Sequence, residues 1–93
     1  MAWTVEFRDV ALEDLRGLPG NIRARVVRAV EQRLGTEPQR YGSRLRRSLT
    51  GLWKLRVGDL RVVYVVEGSR VTVWAVLNRK LVYPEAARRW EAS

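Results

Sequence analysis

The sequence predicts an α+β domain: an antiparallel sheet, made of an N-terminal strand plus a C-terminal three-stranded meander, packed on two N-terminal helices, with a short C-terminal helix. Two observations carry this. Residues 52–77 contain the pairs Gly58-Asp59 and Gly68-Ser69, each set between alternating or β-branched runs. Two-residue loops that begin with Gly are hairpin connections, because Gly supplies the positive φ that the primed turns need. Residues 9–34, in contrast, place apolar side chains at helical spacing and are interrupted by Pro19-Gly20-Asn21. With 93 residues, the chain forms one domain over 1–93, large enough for a single sheet-and-helix core.

In chain order, residues 3–8 alternate apolar and polar and read as a strand with Trp3, Val5 and Phe7 facing inward. Asp9 is the expected N-cap of a helix ending near Leu18, with Ala11, Leu15 and Leu18 on one face. A second helix over 22–34 carries a stripe through Ile22, Val26, Ala29, Val30 and Arg33-Leu34. Its outer face holds Arg23, Arg25, Arg28 and Glu31, for which a solvated surface is preferred over a nucleic-acid contact. Residues 35–42, with Pro38, form a loop. The basic segment 43–49 follows, and its Arg44, Arg46 and Arg47 either track an RNA backbone or guard a sheet edge against aggregation. The meander comprises strands 52–57, 60–67 and 70–77. Pro84 suits the first position of a helix over 84–91, with Trp90 packed inward.

The two turns set a register in which Val57 faces Leu60, Arg56 faces Arg61, Lys54 faces Val63, Val63 faces Trp74 and Arg61 faces Val76. Since side chains alternate along a strand, one face of the meander carries no charged residue and is the core face; it includes Leu55, Val62, Tyr64, Val73, Ala75 and Leu77. The other face is mixed, with Lys54, Arg56 and Arg61 gathered at one end beside an exposed Trp74. Like charges directly opposite each other cost a hairpin some tenths of a kcal/mol up to about one. Arg56 opposite Arg61, with Lys54 nearby, is therefore read as an anion site, with Trp74 as a platform for a nucleobase.

Composition narrows the chemistry. There is no cysteine and no histidine, which removes disulfides, thiol nucleophiles, the commonest metal ligand and the commonest neutral-pH base. No spacing among the acidic residues suggests a metal site, and no cofactor is expected. The formal net charge is +8 and 16 of the 18 basic residues are Arg, so the first expected partner is a polyanion, nucleic acid above all. No signal peptide or membrane span is visible, and a cytoplasmic protein with no membrane partner is expected. After the third strand, Asn78-Arg79-Lys80-Leu81-Val82-Tyr83 brings Arg79, Lys80 and Tyr83 to the same end of the sheet as Arg56 and Arg61.

Four stretches resemble the RelE/ParE superfamily of toxins from prokaryotic toxin–antitoxin pairs: Trp3–Phe7, Ala11–Pro19, Leu52–Tyr64 and Asn78–Tyr83. The third is the most specific. The last is similar to the RelE branch, whose members cut messenger RNA in the ribosomal A site, whereas the gyrase-poisoning ParE branch usually lacks the basic-plus-Tyr ending. The resemblance implies a catalytic set of Lys54, Arg56, Arg61, Arg79, Lys80 and Tyr83; the residues themselves add Arg44, Arg46, Arg47 and Trp74 as expected RNA contacts. It departs from the pattern at Asn78, where many relatives have His, and at Leu52, where some have Lys. The implied reaction is metal-independent attack of an RNA 2′-OH on its own phosphate, with Tyr83, or else Lys54, taking the proton and the Arg side chains stabilising charge. A cognate antitoxin is the implied protein partner. A gyrase inhibitor, or a basic module that only binds a partner, is the alternative.

Overall fold

The computed structural model describes residues 3–93. Its elements are β1 (Thr4–Phe7), α1 (Asp9–Arg16), α2 (Gly20–Ala29) continuing into a π-helical turn (Val30–Leu34), α3 (Pro38–Tyr41), β2 (Ser43–Arg44), a 3₁₀ turn (Arg47–Leu49), β3 (Trp53–Val57), β4 (Leu60–Glu67), β5 (Arg70–Asn78) and α4 (Val82–Glu91). The sheet runs β1-β5-β4-β3-β2. The meander and both turns lie where the Gly-started pairs predict, with Gly58 at φ 59° and Gly68 at φ 60°.

The sheet is mixed rather than antiparallel, because β1 runs parallel to β5, with Val5 beside Val71 and Phe7 beside Val73. Alternation marks the faces of a strand but not its direction, and no tight turn joins β1 to its neighbour. Smaller differences follow from local chemistry. Arg8, with extended backbone, occupies the N-cap of α1; Asp9 instead lies in the first turn, where its charge meets the helix dipole. The expected loop at 35–42 contains α3, and the basic segment contributes the edge strand β2. Helix α4 begins at Val82, so Pro84 is its third residue; a first-turn N–H has no intrahelical acceptor to lose.

The predicted register holds between β3 and β4, with Arg56 opposite Arg61 and Lys54 opposite Val63. Between β4 and β5 it holds only as far as Tyr64, which faces Val73. A bulge then leaves Trp74 unpaired, so that Val63 faces Ala75 and Arg61 faces Leu77. The extra residue rotates the rest of β5 by one position. Val76 thereby joins the core face with Tyr64 and Val73, while Ala75 and Leu77 move to the opposite face.

That opposite face is not open. Under α1 and α2 lies one core, built on Val26, Val30, Leu34, Leu55, Val62 and Tyr64. On the other side α4 lays Val82, Ala86 and Trp90 over Leu52, Val63, Val65, Trp74 and Ala75 to form a second. Trp74 is 9% exposed, in edge contact with Trp90 at 5.0 Å between ring centroids and with the Arg8 guanidinium 3.7 Å above its own ring. It cannot serve as a stacking platform for a base; its surface is used inside the protein.

In the first core Tyr64 donates its hydroxyl proton to the Pro38 carbonyl across 2.6 Å, and burial pushes the phenol above its ordinary range. Gly42 packs directly against that hydroxyl. A Cβ at this position would lie 1.7 Å from it.

Candidate nucleic-acid interface and active site

The site is assembled at the end of the sheet where the β3–β4 hairpin turns. Period-two alternation on β3 places Lys54 and Arg56 on the α4 face, and the hairpin register brings Arg61 of β4 opposite Arg56. Arg61 folds back on the turn, donating from Nη1 to the carbonyls of Gly58 (3.0 Å) and Leu60 (2.9 Å). Both bonds use the same nitrogen, so the rest of the planar fork remains for an anion. The chain leaving β5 is tied to the same turn, since the Arg79 backbone N–H donates to the Asp59 carbonyl at 2.9 Å. Asn78 closes the next turn by accepting from the Lys80 N–H at 2.9 Å, leaving Arg79 and Lys80 exposed.

Tyr83 lies in the first turn of α4, packed at the rim of the second core and half-buried. The Lys54 ammonium sits 5.7 Å from the centre of its ring. A β-strand cation and a helical phenol from distant parts of the sequence thus face the same space. Among the described residues, none of Lys54, Arg56, Arg61, Arg79 and Lys80 is ion-paired. An uncompensated cluster of this kind, on a rigid sheet, is an electrostatic seat for a phosphate. No group of His, Cys, Asp or Glu among the described residues could hold a metal ion.

The other predicted contacts are spread more widely. Arg44 faces Trp53 across the β2–β3 pair, its guanidinium 5.0 Å from the Trp53 ring, on the opposite sheet face from Lys54. Arg46 and Arg47 are exposed on the connection between β2 and β3, Arg47 with a left-handed φ of 59°.

Most of the chain, taken as a whole, is similar to known proteins. Residues 5–83 fit the family described as the ParE toxin of the type II toxin–antitoxin system parDE. The chain belongs to the RelE/ParE superfamily of toxins. It is 40% identical over 73 residues to toxin RelG of Mycobacterium tuberculosis, spanning 78% of this chain and 84% of that one. It is 39% identical over 75 residues to toxin RelE of the same organism, spanning 78% and 77% respectively. Among solved structures, the toxin–antitoxin complex RelBE2 from M. tuberculosis superposes with a TM-score of 0.81 at 36% identity, over 85% of this chain and 100% of that one. The isolated E. coli RelE toxin gives 0.68 at 26% identity, over 95% and 98%. The toxin contains no helix long and apolar enough to cross a membrane among its described residues.

Two residues of the toxin that tie the sheet to its helices lie outside the set that the sequence predicts. Arg89 of α4 forms a two-pronged pair with Asp14 of α1, at 2.8 and 3.0 Å. The same guanidinium donates to the Trp74 carbonyl at 2.9 Å, and Asp14 accepts the Val76 N–H at 2.9 Å. These are backbone groups at the β5 bulge, which the ladder no longer serves. The pair therefore caps a broken sheet edge and joins the helical layers on the two sheet faces. Asp14 lies three residues after Ala11 and next to Leu15 on the buried face of α1, and an acid at that position was the available signal. Leu52, at the position where the resemblance has Lys in some members, is 1% exposed in the second core.

Proposed function

We propose that the toxin is a ribosome-dependent endoribonuclease that cuts messenger RNA in the ribosomal A site without a metal ion. The observation that supports this reading is the meeting of Lys54 and Tyr83, 5.7 Å from ammonium to ring centre, inside a corner of cations. The 2′-oxygen attacks the adjacent phosphorus, forming the new O–P bond as the P–O5′ bond breaks, and leaves a 2′,3′-cyclic phosphate and a 5′-hydroxyl. Tyr83 takes the 2′-OH proton, with Lys54 holding the phenol's charge. Lys80 gives a proton to the departing 5′-oxygen. Arg56, Arg61 and Arg79, fully charged at physiological pH, stabilise the negative charge that builds on the phosphorane. DNA, lacking the nucleophile, is not cut.

Primer extension on a message translated in a cell-free extract tests this. Wild type leaves discrete breaks within translated codons, whereas Arg61→Ala and Tyr83→Phe each slow cleavage by roughly 100-fold or more. An intact message with wild type sinks the reading. The match to the ParE family favours a second reading, inhibition of DNA gyrase; it is chosen if the message survives while supercoiling by gyrase stops.

We infer that a cognate antitoxin neutralises the toxin, as the RelBE2 structure is of a toxin–antitoxin complex. An acidic antitoxin segment lying across the basic face competes with phosphate. Its binding weakens at high salt and on neutralising Arg56, Arg61 and Arg79; equal affinity in both cases rules that mode out.

A further inference from the structure

Beyond the corner just described, a groove of about 460 Å³ runs between α2 and the edge of β3. Four arginines line it: Arg25, Arg28 and Arg33 from the helix and Arg56 from the strand. Among the described residues none of them is ion-paired, and no carboxylate lines the groove. Glu31, the acidic residue of this helix, lines the neighbouring cleft with Gly20 and Arg23, and Arg28 borders both.

The helix geometry contributes to this clustering. In a regular α-helix Arg33 turns well away from Arg25 and Arg28. The π-helical turn over Val30–Leu34, closed by the Gly35 N–H donating to the Val30 carbonyl at 3.1 Å, widens the last turn and rotates Arg33 back towards them. Isolated π-turns of this kind occur often at functional sites.

The groove is continuous with the candidate active site through one hairpin turn. The Arg25 guanidinium packs against Gly58, 3.4 Å from the position a Cβ would take there. Arg61 donates to the Gly58 carbonyl, and Arg56, its partner across the β3–β4 pair, lines the groove. The lining also discriminates between classes of polyanion. Apart from Ala29 and Val57 it is polar. A bound protein segment needs an apolar centre, whereas protein–nucleic acid contacts are polar and strongly positive.

We propose that this groove is a second seat for RNA, in which Arg25, Arg28 and Arg33, with Arg56 at the junction, hold backbone phosphates of the substrate strand where it flanks the scissile position. The proposal rests on the reading of RNA as substrate. It deepens that reading by giving the strand a path around the β3 edge. Such contacts fix the position of the strand and carry no base preference.

The test uses non-cleavable 2′-O-methyl RNA, as a trinucleotide and as a twelve-nucleotide strand, with the full chain and with an Arg25→Gln/Arg28→Gln/Arg33→Gln variant. Each single-strand phosphate contact contributes about 0.7 to the slope of log affinity against log salt, so the variant's slope on the long strand falls by about 2. Its affinity for the long strand at about 50 mM salt falls roughly tenfold, while the trinucleotide binds as before. An unchanged slope on the long strand overturns the proposal. So does a variant that keeps RNA affinity but loses an acidic protein partner, which makes the groove a protein surface. If wild type binds neither RNA, the groove is not an RNA seat and the proposal is overturned, while breaks in a translated message still decide the enzyme reading separately. Should the triple variant not fold, Arg25→Gln and Arg33→Gln singly each lower the slope by about 0.7, and the corresponding Lys variants restore it.

Discussion

The two faces of the sheet solve the same problem by different means. Under α1 and α2 the core is apolar through and through, and its one buried hydroxyl, on Tyr64, is satisfied by the Pro38 carbonyl. Under α4 a smaller cluster has one helix and a 3₁₀ turn above it, and a charged pair, Asp14–Arg89, fastens its rim. The difference tracks the chemistry. In the proposed reading Lys54, Arg56 and Arg61 meet an anion, which requires that helices leave part of that face uncovered. A helix with little apolar area beneath it is held instead by directed, charge-assisted bonds. The first face gives the domain its stability, and the second trades coverage for a site.

The largest effect should come from removing the fastening. Asp14 and Arg89 side chains are 9% and 11% exposed, and breaking one partner of a buried pair leaves the other uncompensated. Asp14→Ala is expected to cost about 3–5 kcal/mol in chemical denaturation. Replacing a whole buried pair with apolar residues is often neutral. Here the double variant Asp14→Leu/Arg89→Met should still lose roughly 2 kcal/mol, because the Trp74 carbonyl and the Val76 N–H lose their partners at the bulge. A neutral double variant would mean that the pair does no more than balance its own charges. The equivalent test of the first face is Gly42→Ala. Its Cβ meets the Tyr64 hydroxyl, so a loss of about 3 kcal/mol is expected, and Tyr64→Phe in the same chain should recover part of it by removing the oxygen.

How legible each face was in the sequence follows from the same contrast. Strict alternation and two Gly-started turns specified the first face as far as Tyr64, since burial and turn chemistry are both local signals. The bulge at Trp74 was invisible, because an extra residue in a strand is tolerated only when something distant serves the freed backbone groups. That something, Asp14 with Arg89, lies on two helices at opposite ends of the chain. Trp74 was accordingly read as exposed when it is buried. The cations of the site were legible as a group because the hairpin register puts Arg56 opposite Arg61. Arg25 and Arg28 looked like a solvated helix face and Arg33 like part of the inward stripe beside Leu34, for the π-turn that gathers them has no evident sequence signature.

A smaller effect distinguishes the faces by pH. Glu85 of α4 is held down to about 2 by its hydrogen bond from Arg88, with a further one from Arg89. A carboxylate lowered on folding stabilises the native state above its ordinary value of 4.5 and loses that contribution as pH falls from there towards about 2. Denaturation midpoints measured between these limits should fall more steeply for wild type than for Glu85→Gln. Parallel curves would place the acid sensitivity of the toxin elsewhere.

The smallest predicted effect has the opposite sign. Arg47, on the 3₁₀ turn beneath the C-terminal end of α4, adopts φ 59°, and its carbonyl accepts both the Thr50 hydroxyl (2.7 Å) and the Thr50 N–H (3.1 Å). A side chain in the left-handed region costs about 1 kcal/mol that Gly does not incur. Gly is also freer in the unfolded chain, which offsets part of the relief. Arg47→Gly should therefore raise stability by a few tenths of a kcal/mol up to about 0.5. If Arg47 also contacts RNA, the same variant binds a long 2′-O-methyl strand with a salt slope lower by about 0.7. Higher stability with lower RNA affinity would identify a strained residue kept for its charge. Higher stability with unchanged affinity would make Arg47 a guard of the sheet edge, on the face where coverage is thinnest.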